Sequence, residues 1–526
     1  MRTVEVFDTT LRDGLQVEGV SATVDDKLRI AEQLDLLGVH YIEGGWPGAN
    51  PKDIEFFRRA RTELDLTTST LVAFGSTRRP RGKVDEDTTL RNLVEAGTSA
   101  VCIVAKSSEY QIAEALQTTL DEGAAMIGDS VEFLRGEGRM VMVDLEHFFD
   151  GYKANPEFSL RAIEAAVVNG ASHLVLCDTN GGTLPHEVSE IVAAVAAHVR
   201  DDAIIGIHCH DDTGCAVANS MAAVEAGAGH VQGTLNGLGE RTGNTNLTTV
   251  IPNLQLKLGY ECLPAGRIER LTAVSHHVAE TLNRAVNPQA PYVGSSAFAH
   301  KAGLHVSAIK RAKDAYEHVD PALVGNGTRF VVSEMAGRAT IEMKAEDLGL
   351  ELDGAVVGQI IDDLKRLEHE GYHFEAADAS LELLMRRAAG VVPEFFRVES
   401  MRVITDELPD GDFTTEATVK VWVGDGEDAE RQVHVAEGNG PVNAIDAALR
   451  MAVGAALPAL DRIHLTDFKV RILDGGSATG ATTRVLLSAT DGERDWTTIG
   501  VSPNIIEASW RALEDSVVYG LLQQVG

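Results

Sequence analysis

Short apolar runs alternate with amphipathic stretches over residues 1–265 of the chain. Eight runs have the length and composition of strands: 3–8, 41–45, 68–74, 100–105, 140–147, 173–178, 204–210 and 230–237. Several of them are almost continuous in Val, Ile and Leu, which is typical of parallel strands covered on both faces. Between the first two runs, apolar residues recur at helical spacing from Val24 to Leu37. Eight strand–helix units in about 250 residues predict an α/β fold, a (β/α)8 TIM barrel, with a doubly wound open sheet as the alternative.

After the barrel region the hydrophobic pattern changes twice. Residues 266–392 carry mixed charges and helical periodicity, and we interpret them as helical linker subdomains. Residues 393–526 contain three strand patterns followed by a helix, and this order repeats at a period of about 62 residues. Pro441 and Pro503 are expected at the first position of the two helices, where proline favours helix initiation, and Ser502 is the candidate N-cap of the second helix. This α+β C-terminal domain has no reactive cluster, which indicates binding or regulation rather than a second active site.

The chain is strongly acidic, with a formal net charge of −33 and a pI of about 4.8. Such a surface repels phosphate backbones and anionic lipids, so neither a nucleic acid nor a membrane is expected as a partner. No apolar run approaches the ~20 residues that span a bilayer, and the N-terminal stretch has no apolar signal core. The five cysteines form no Cys-x-x-Cys motif and their number is odd, which favours a reducing compartment. These features predict a cytoplasmic protein.

Polar residues collect at one end of the predicted strands. The polar residues at the ends of the strands, or directly after them, are Arg12, Asp13, Glu43, Glu146, Asp178, Thr179, Asn180, His208, His210 and those of the loop 236–244. In a (β/α)8 barrel the catalytic residues lie at the carboxyl ends of the strands. This distribution therefore supports the barrel and predicts where its active site lies.

His208 and His210 are two residues apart at the end of the seventh predicted strand. Residues i and i+2 of a strand face the same way, so both imidazoles are able to reach one ion. An isolated His-x-His pair is common in ordinary strands, and its position at the barrel rim is what favours a metal site. Asp13 is the natural third ligand, although it also fits a simple turn, and Asn244 offers an amide oxygen. This mixed set of nitrogen and oxygen ligands suits Mn²⁺, Mg²⁺ or Zn²⁺. Cys209, which alternates with the two histidines, is predicted to face the opposite side of the strand.

Other candidate residues have plain structural alternatives. Arg12 beside Asp13 places a fixed cation next to the metal, but the two residues also fit a surface ion pair. Glu146 is either an acid–base group or a charge that faces solvent. His305 acts as a base only if its segment, which lies outside the barrel, folds over a barrel mouth. The glycine-rich loop 237–244 lacks the spacing and the position of a dinucleotide-binding fingerprint.

Four ordered motifs carry a family resemblance: VEVFDTTLRDGLQ, IHCHDDTGCAVANS, GLGERTGNTNL and FAHKAGLHVSA. They resemble the isopropylmalate, homocitrate and citramalate synthases. GNGPVNAIDAALR and ATGATTRVLLSATDG look like the allosteric domain of that family. The resemblance covers essentially the whole chain, and DLEHFFDGYKANPEFSL and GNGTRFVVSEMAGRATI are most similar to the citramalate synthase branch.

The resemblance implies a metal-dependent Claisen-type condensation. Acetyl-CoA would lose a methyl proton, its enolate would attack the keto carbon of a 2-oxo acid, and hydrolysis of the thioester would release CoA. In the citramalate branch the acceptor is pyruvate and the product is (R)-citramalate, on a route to isoleucine. The alternatives are an isopropylmalate synthase, which takes 2-oxoisovalerate, an acyl-CoA lyase of the same barrel superfamily, and a non-catalytic amino-acid sensor. Lyases lack the long C-terminal repeat, and a sensor predicts broken ligand positions.

The family roles transfer to matching positions of this sequence. The resemblance implies a metal set of Asp13, His208, His210 and Asn244, with the ion chelating oxygens of the 2-oxo acid. It also implies that Arg12 stabilises the oxygen on which charge develops, an electrostatic role.

Asp144, two residues before Glu146, shares its face of the strand and is expected to point toward the acceptor pocket, where an acidic side chain is unfavourable beside the methyl group of pyruvate. The resemblance implies roles for four further residues. Thr179 would bind the substrate carboxylate. Glu146 and His305 would move protons during enolisation, and Tyr316 would lie near the active site. Because His305 and Tyr316 belong to the linker region, the resemblance implies a homodimer in which each subunit completes its partner's active site. The C-terminal domain would then bind a branched-chain amino acid, which for the citramalate branch is isoleucine.

Overall fold

The structure of the chain is a computed structural model that describes residues 2–200, 202–300, 308–309, 311–312, 315–330, 338–409, 411–424, 429–473 and 480–525. The chain divides into two compact units. The first comprises Met1–Phe298 and Glu317–Thr328, and the second comprises Ala299–Tyr316 and Arg329–Gly526. Within the described ranges, no helix is both long and apolar enough to span a membrane.

The first unit contains a closed barrel of eight parallel strands in sequential order, which confirms the predicted TIM barrel. The strands are β1 Glu5–Asp8, β2 Tyr41–Gly45, β3 Thr70–Ser76, β4 Ala100–Lys106, β5 Met140–Glu146, β6 His173–Asp178, β7 Ile204–Cys209 and β8 His230–Gly233. The helices of this unit are α1 Val24–Leu37, α2 Pro51–Glu63, α3 Thr88–Glu95, α4 Leu120–Gly136, α5 Phe148–Ala154, α6 Pro156–Val168, α7 Pro185–Val199, α8 Ala216–Ala226, α9 Leu247–Pro252 and α10 Leu271–Thr281. Parallel pairing of β1 with β8 closes the ring, with Glu5 opposite His230.

Side chains alternate between the two faces of each barrel strand, as the pleat requires. In β7, Ile205, Ile207 and Cys209 belong to the large apolar core of this unit. The residues between them, Gly206 and His208, therefore point into the barrel. Cys209 is a fully buried packing residue, as its alternation with the histidines predicts.

Inward-facing residues fill the barrel in layers. An apolar layer in the middle includes Phe7, Val72, Ala100 and Met142, all of them fully buried. Polar groups lie beyond this layer at both ends, toward the carboxyl ends of the strands and toward their amino ends. Because the apolar layer separates them, each polar end has its own set of contacts.

The second unit contains two three-stranded antiparallel sheets, each followed by a helix, which confirms the predicted βββα repeat. The strands of the repeat are β11 Phe396–Glu407, β12 Phe413–Val423, β13 Glu430–Gly438, β14 His464–Ile472, β15 Thr483–Thr490 and β16 Asp495–Ser502. The helices are α11 Arg338–Asp347, α12 Gly354–His369, α13 Asp378–Ala388, α14 Pro441–Val453 and α15 Ile505–Val525. A short parallel pair, β9 Ala299–His300 and β10 Arg329–Phe330, lies in the region predicted to be helical.

Asp35, on α1, ties this helix to the start of β3. Its carboxylate accepts hydrogen bonds from the backbone N–H groups of Thr67, Thr68 and Ser69 at 2.7–3.1 Å. Burial opposes ionisation of the carboxyl, but these three donors lower the pKa of Asp35. The ionised side chain therefore stabilises the connection between the first helix and the third strand.

Asp35→Ala is expected to lower the free energy of unfolding by about 2–4 kcal/mol, because it leaves three backbone donors without their acceptor. Since the folded-state pKa is depressed, this stabilisation is present above the unfolded-state value of about 3.9 and is lost as the pH falls through the folded-state pKa. Urea denaturation at pH 7 and near pH 3 measures both effects. The exposed Asp65→Ala is the control, expected within about 0.5 kcal/mol of the wild type. Equal effects of the two substitutions at pH 7 would contradict the assigned role.

Candidate active site

The candidate active site is a cavity of about 250 Å³ at the carboxyl ends of the barrel strands. Its lining includes seven residues predicted from the sequence: Arg12, Asp13, Asp144, Glu146, Thr179, His208 and His210. Trp46, Phe74 and Val104 add an apolar wall. The volume is below the range of typical drug-sized sites, and it fits a small polar ligand.

Asp13, His208 and His210 bring ligand atoms within 4.8 Å of one another, and Asn244 lies against them. His208 Nε2 is 3.2 Å from Asp13 Oδ2, and Asn244 Nδ2 donates a hydrogen bond to the same oxygen at 2.6 Å. His210 Nδ1 and Asn244 Oδ1 are buried and have no hydrogen-bond partner within the part of the chain that the structure describes. The four residues therefore converge, and a cation would satisfy the unpartnered atoms.

Burial and neighbouring charges set the protonation states of Asp13 and His210 in this cluster. Burial opposes ionisation of Asp13, but Arg12 and His208 hold the pKa of its carboxyl well below its usual range. Burial, reinforced by the charge of His208, lowers the pKa of His210 to about 4. At neutral pH Asp13 is therefore anionic and His210 is neutral, which are the forms that bind metals.

The loop after β8 is shaped by glycines that allow close approach. Asp211 N donates to Gly243 O at 2.9 Å, and a backbone bridge joins His210 to Asn244. Gly239 has a φ of +152°, and a Cβ at this position would overlap the side-chain oxygen of Asn244. The glycines of this loop therefore place Asn244 beside the histidines, a role that is unrelated to dinucleotide binding.

Arg12 is half-buried and held on three sides. Its Nε donates to Glu43 Oε2 at 2.6 Å, and its Nη1 lies 3.3 Å from Asp13 Oδ1. Its Cζ is 3.9 Å from the centroid of the Phe74 ring, a cation–π contact. Burial alone would lower the pKa of the guanidinium, but Asp13 and Glu43 raise it above its ordinary value. Arg12 is therefore a fixed cation at the cavity and not a surface ion pair.

A buried chain of hydrogen bonds orients His208. Gln232 Nε2 donates to Asp144 Oδ1 at 2.9 Å, which leaves Gln232 Oε1 to accept from His208 Nδ1 at 2.8 Å. A neutral His208 therefore has its lone pair on Nε2, the atom nearest to Asp13. Gln232 is not among the residues predicted from the sequence, although it faces inward and lies directly opposite His208 in register.

Two buried carboxyl groups lie at the cavity: Asp144 is part of its lining, and Glu43 contacts Arg12. Burial raises the pKa of both groups. Glu43 was recognisable from the sequence only as a strand-end charge, and its contact with Arg12 gives it a positioning role. Asp144 lines the cavity as expected, but its Oδ1 is engaged by Gln232.

Glu146 and Thr179 lie on neighbouring strand ends of the same cavity. Glu146 forms an ion pair with Lys106 and is therefore not an isolated charge in solvent. The Thr179 hydroxyl oxygen accepts a hydrogen bond from His147 N at 2.9 Å. Both side chains thus have fixed positions within the cavity lining.

The two remaining predicted residues belong to the linker region. His305 lies in residues 301–307, outside the described residues. Tyr316 is described, belongs to the second compact unit and is 46% exposed. Their predicted roles stay predictions.

Family models match nearly the whole chain in three segments. The HMGL-like model matches residues 3–278. The homocitrate synthase post-HMGL domain-like model matches residues 292–372, and the LeuA allosteric (dimerisation) domain model matches residues 375–521. Their order agrees with the barrel, the linker region and the strand-rich C-terminal region.

Similar proteins extend over the same length. The chain is 54% identical to the (R)-citramalate synthase of Streptomyces coelicolor, over 98% of this chain and 96% of that protein. It is 30% identical to the 2-isopropylmalate synthase of Acetivibrio thermocellus, over 98% of both. The crystal structure of hydroxymethylglutaryl-CoA lyase from Pseudomonas aeruginosa is similar with a TM-score of 0.47 at 21% identity, over 54% of this chain and 95% of that chain.

Five curated relatives that are 44–54% identical to this chain carry the name (R)-citramalate synthase. With these relatives matching nearly its whole length and the HMGL-like model matching more than half of it, the chain belongs to the family of the (R)-citramalate synthases and related HMGL-like enzymes.

Proposed function

We propose that this protein is an acyltransferase that condenses acetyl-CoA with pyruvate to give (R)-citramalate and CoA. The observation that carries the proposal is its 54% identity, over nearly the whole chain, to a protein named (R)-citramalate synthase. The convergence of Asp13, His208, His210 and Asn244 at the barrel rim supports it. A 2-isopropylmalate synthase, at 30% identity, is the second candidate.

Asp13, His208, His210 and Asn244 are proposed to hold a divalent ion, which is Mn²⁺, Mg²⁺ or Zn²⁺. Two nitrogen and two oxygen donors suit these ions and leave positions for substrate oxygens. When bound, such an ion polarises the keto group of a 2-oxo acid as a Lewis acid. The unpartnered His210 Nδ1 and Asn244 Oδ1 support this assignment.

Arg12 and Thr179 are proposed to bind the acceptor. Because Glu43 and Phe74 fix Arg12, its charge is available without reorganisation where negative charge develops on the keto oxygen. The Thr179 hydroxyl accepts from His147 N, which leaves its own proton to donate to the substrate carboxylate.

Glu146 and His305 are the proposed proton carriers of enolisation. A base takes a proton from the methyl group of acetyl-CoA, and the resulting carbon nucleophile forms a bond to the keto carbon while the keto oxygen becomes a hydroxyl. Water then cleaves the C–S bond of the thioester, and CoA leaves as a thiol. Glu146 lines the cavity with Lys106 beside it. The roles of His305 and Tyr316 are proposed on the family resemblance.

The walls of the cavity favour a small acceptor. Pyruvate presents a single methyl group, whereas 2-oxoisovalerate presents an isopropyl group. The bulky side chains of Trp46, Phe74 and Val104 in the cavity lining support the smaller acid. An acidic residue near a methyl group is unfavourable, but Asp144 is hydrogen-bonded to Gln232 and is thereby compatible with pyruvate.

The C-terminal domain, residues 393–526, is proposed to form a homodimer and to bind isoleucine. Phe468, Val470 and Ile472 alternate along β14 and are 41%, 44% and 59% exposed. An exposed apolar row on one face of a sheet is typical of an interaction surface. The match of residues 375–521 to the LeuA allosteric (dimerisation) domain supports both parts of the proposal.

Purified protein with Mn²⁺ and acetyl-CoA is expected to release free thiol with pyruvate. The value of kcat/KM for 2-oxoisovalerate is expected to be lower by at least about tenfold, because the larger group must fit the same cavity. Isoleucine, and not leucine, is expected to inhibit the reaction. A preference for 2-oxoisovalerate would favour the isopropylmalate reaction, and no thiol release with either acid would overturn the synthase proposal.

His210→Ala is expected to reduce kcat/KM by at least about 100-fold, since it removes a metal ligand from the rim. Gln232→Leu retains all four ligands but releases His208, and is expected to weaken metal binding by about 10–100-fold. Activity and metal content after dialysis against a weak chelator measure both effects. The exposed His186→Ala is the matched control and is expected to behave as the wild type. Full activity in His210→Ala would remove it from the metal set.

The double variant Val470→Glu, Ile472→Glu is expected to be monomeric in analytical ultracentrifugation, because it places charges in the proposed interface. Its activity should be lost as well, since the active sites are proposed to be shared. Val168→Glu is the control, because Val168 is an 83% exposed apolar residue on α6. A double variant that remains dimeric would exclude this surface as the interface.

A further inference from the structure

The amino ends of the barrel strands carry a second cluster of metal-binding side chains. Glu5 begins β1, His173 begins β6 and His230 begins β8. One ligand atom from each of the three lies within 4.8 Å of the others. The register of the closing strand pair places Glu5 directly opposite His230. Three strands that are distant in sequence therefore meet here, at the end of the barrel opposite to the candidate active site.

This amino-end cluster is separated from the active site by apolar side chains. Phe7 packs on His230, with ring centroids 5.4 Å apart. Val72, Ala100 and Met142 complete the same fully buried layer. The cluster is therefore not an extension of the ligand set at the rim.

The contacts of His173 are compatible with a metal ligand. Ser172 Oγ lies 2.9 Å from Val141 O and 2.9 Å from His173 Nδ1. When the hydroxyl proton is donated to Val141 O, the same oxygen accepts from His173 Nδ1, and a neutral His173 directs its Nε2 lone pair at Glu5 Oε2, 2.7 Å away. In the other tautomer Nε2–H donates to Glu5 directly. The first tautomer is the one in which a metal ion is able to lie between His173 and Glu5.

His230 has no comparable partner. Its side chain is fully buried, and neither ring nitrogen has a hydrogen-bond partner among the described residues. Its Nδ1 lies 3.5 Å from Glu5 Oε2, too far for a good hydrogen bond. Gly206 makes room for the ring, since a Cβ there would come within 2.8 Å of His230 Cδ2. A buried imidazole with two unpartnered nitrogens is costly unless a ligand satisfies one of them.

We infer that Glu5, His173 and His230 bind a divalent transition-metal ion, for which Zn²⁺ is the best match. Two imidazole nitrogens and a carboxylate oxygen form a tetrahedral set with water as the fourth ligand. Ligands about 2.0–2.1 Å from a tetrahedral ion are separated by roughly 3.4 Å, so the observed 2.7 Å and 3.5 Å need only small side-chain rotations. The Glu5 side chain is 23% exposed, which gives the ion a path into the site. The ion links β1, β6 and β8 and has a structural role.

Metal stoichiometry of the full-length protein tests this inference. Each protein is stripped of metal with a chelator and then dialysed against Co²⁺. One equivalent of Co²⁺ is expected to bind at the amino-end cluster in the wild type and in His210→Ala. The same equivalent is expected to be absent from His230→Gln and from Glu5→Gln. Ser172→Ala is expected to weaken the same equivalent by about 10–100-fold, because it frees the His173 ring. Bound metal per chain is measured by mass spectrometry, and the visible spectrum reports four-coordinate Co²⁺.

Glu5→Gln is expected to keep thiol-release activity within about twofold of the wild type, since Phe7 follows Glu5 on the inward face of β1 and lies between it and the rim. His210→Ala leaves the amino-end cluster unaltered, so this test does not depend on the folding of an amino-end variant. If His210→Ala binds no Co²⁺, the inference is overturned. Equal metal content in His230→Gln and the wild type would overturn it as well. If the wild-type protein binds only the equivalent that His230→Gln removes, the rim site fails and the proposed reaction is in question while the amino-end site stands, so the two failures are distinguishable.

Discussion

Closure of the barrel between β1 and β8 is the constraint on which the candidate active site depends. Asp13 follows the first strand, whereas His208 and His210 lie at the end of β7 and Asn244 lies in the loop after β8. Asp13 and Asn244 are 231 residues apart in sequence and are joined by a hydrogen bond of 2.6 Å. In an open sheet these groups would lie at opposite edges. The ligand set therefore exists only because the first and last strands pair.

Closing the ring also buries charge, and buried charge is tolerated only where each group has a partner. Arg12 contacts both Asp13 and Glu43, while Gln232 connects Asp144 to His208. The protein as a whole carries a formal charge of −33, so an anionic 2-oxo acid would be repelled by most of its surface. A fixed arginine and a divalent ion at one rim would make this cavity the place where such an anion is stabilised.

The strand count, the rim positions and the outward face of Cys209 followed from the sequence because they depend on local periodicity. Gln232 and Glu43 could not be assigned roles in this way, since which inward side chains meet depends on the register of the closed ring. Nor did the pattern place the start of α15. Asn504 caps this helix by accepting a hydrogen bond from the second helical amide, so Pro503 lies before the cap. The family was predicted from ordered motifs, and the matching family models confirm it.

The central claim is that the rim residues hold an ion to which the 2-oxo acid binds. Calorimetric titration of pyruvate into chelator-treated protein and into Mn²⁺-loaded protein tests it most directly. Saturable binding near one pyruvate per chain is predicted for the Mn²⁺-loaded protein, with affinity at least about tenfold weaker after metal removal. Equal affinity of the two forms for pyruvate would contradict the claim.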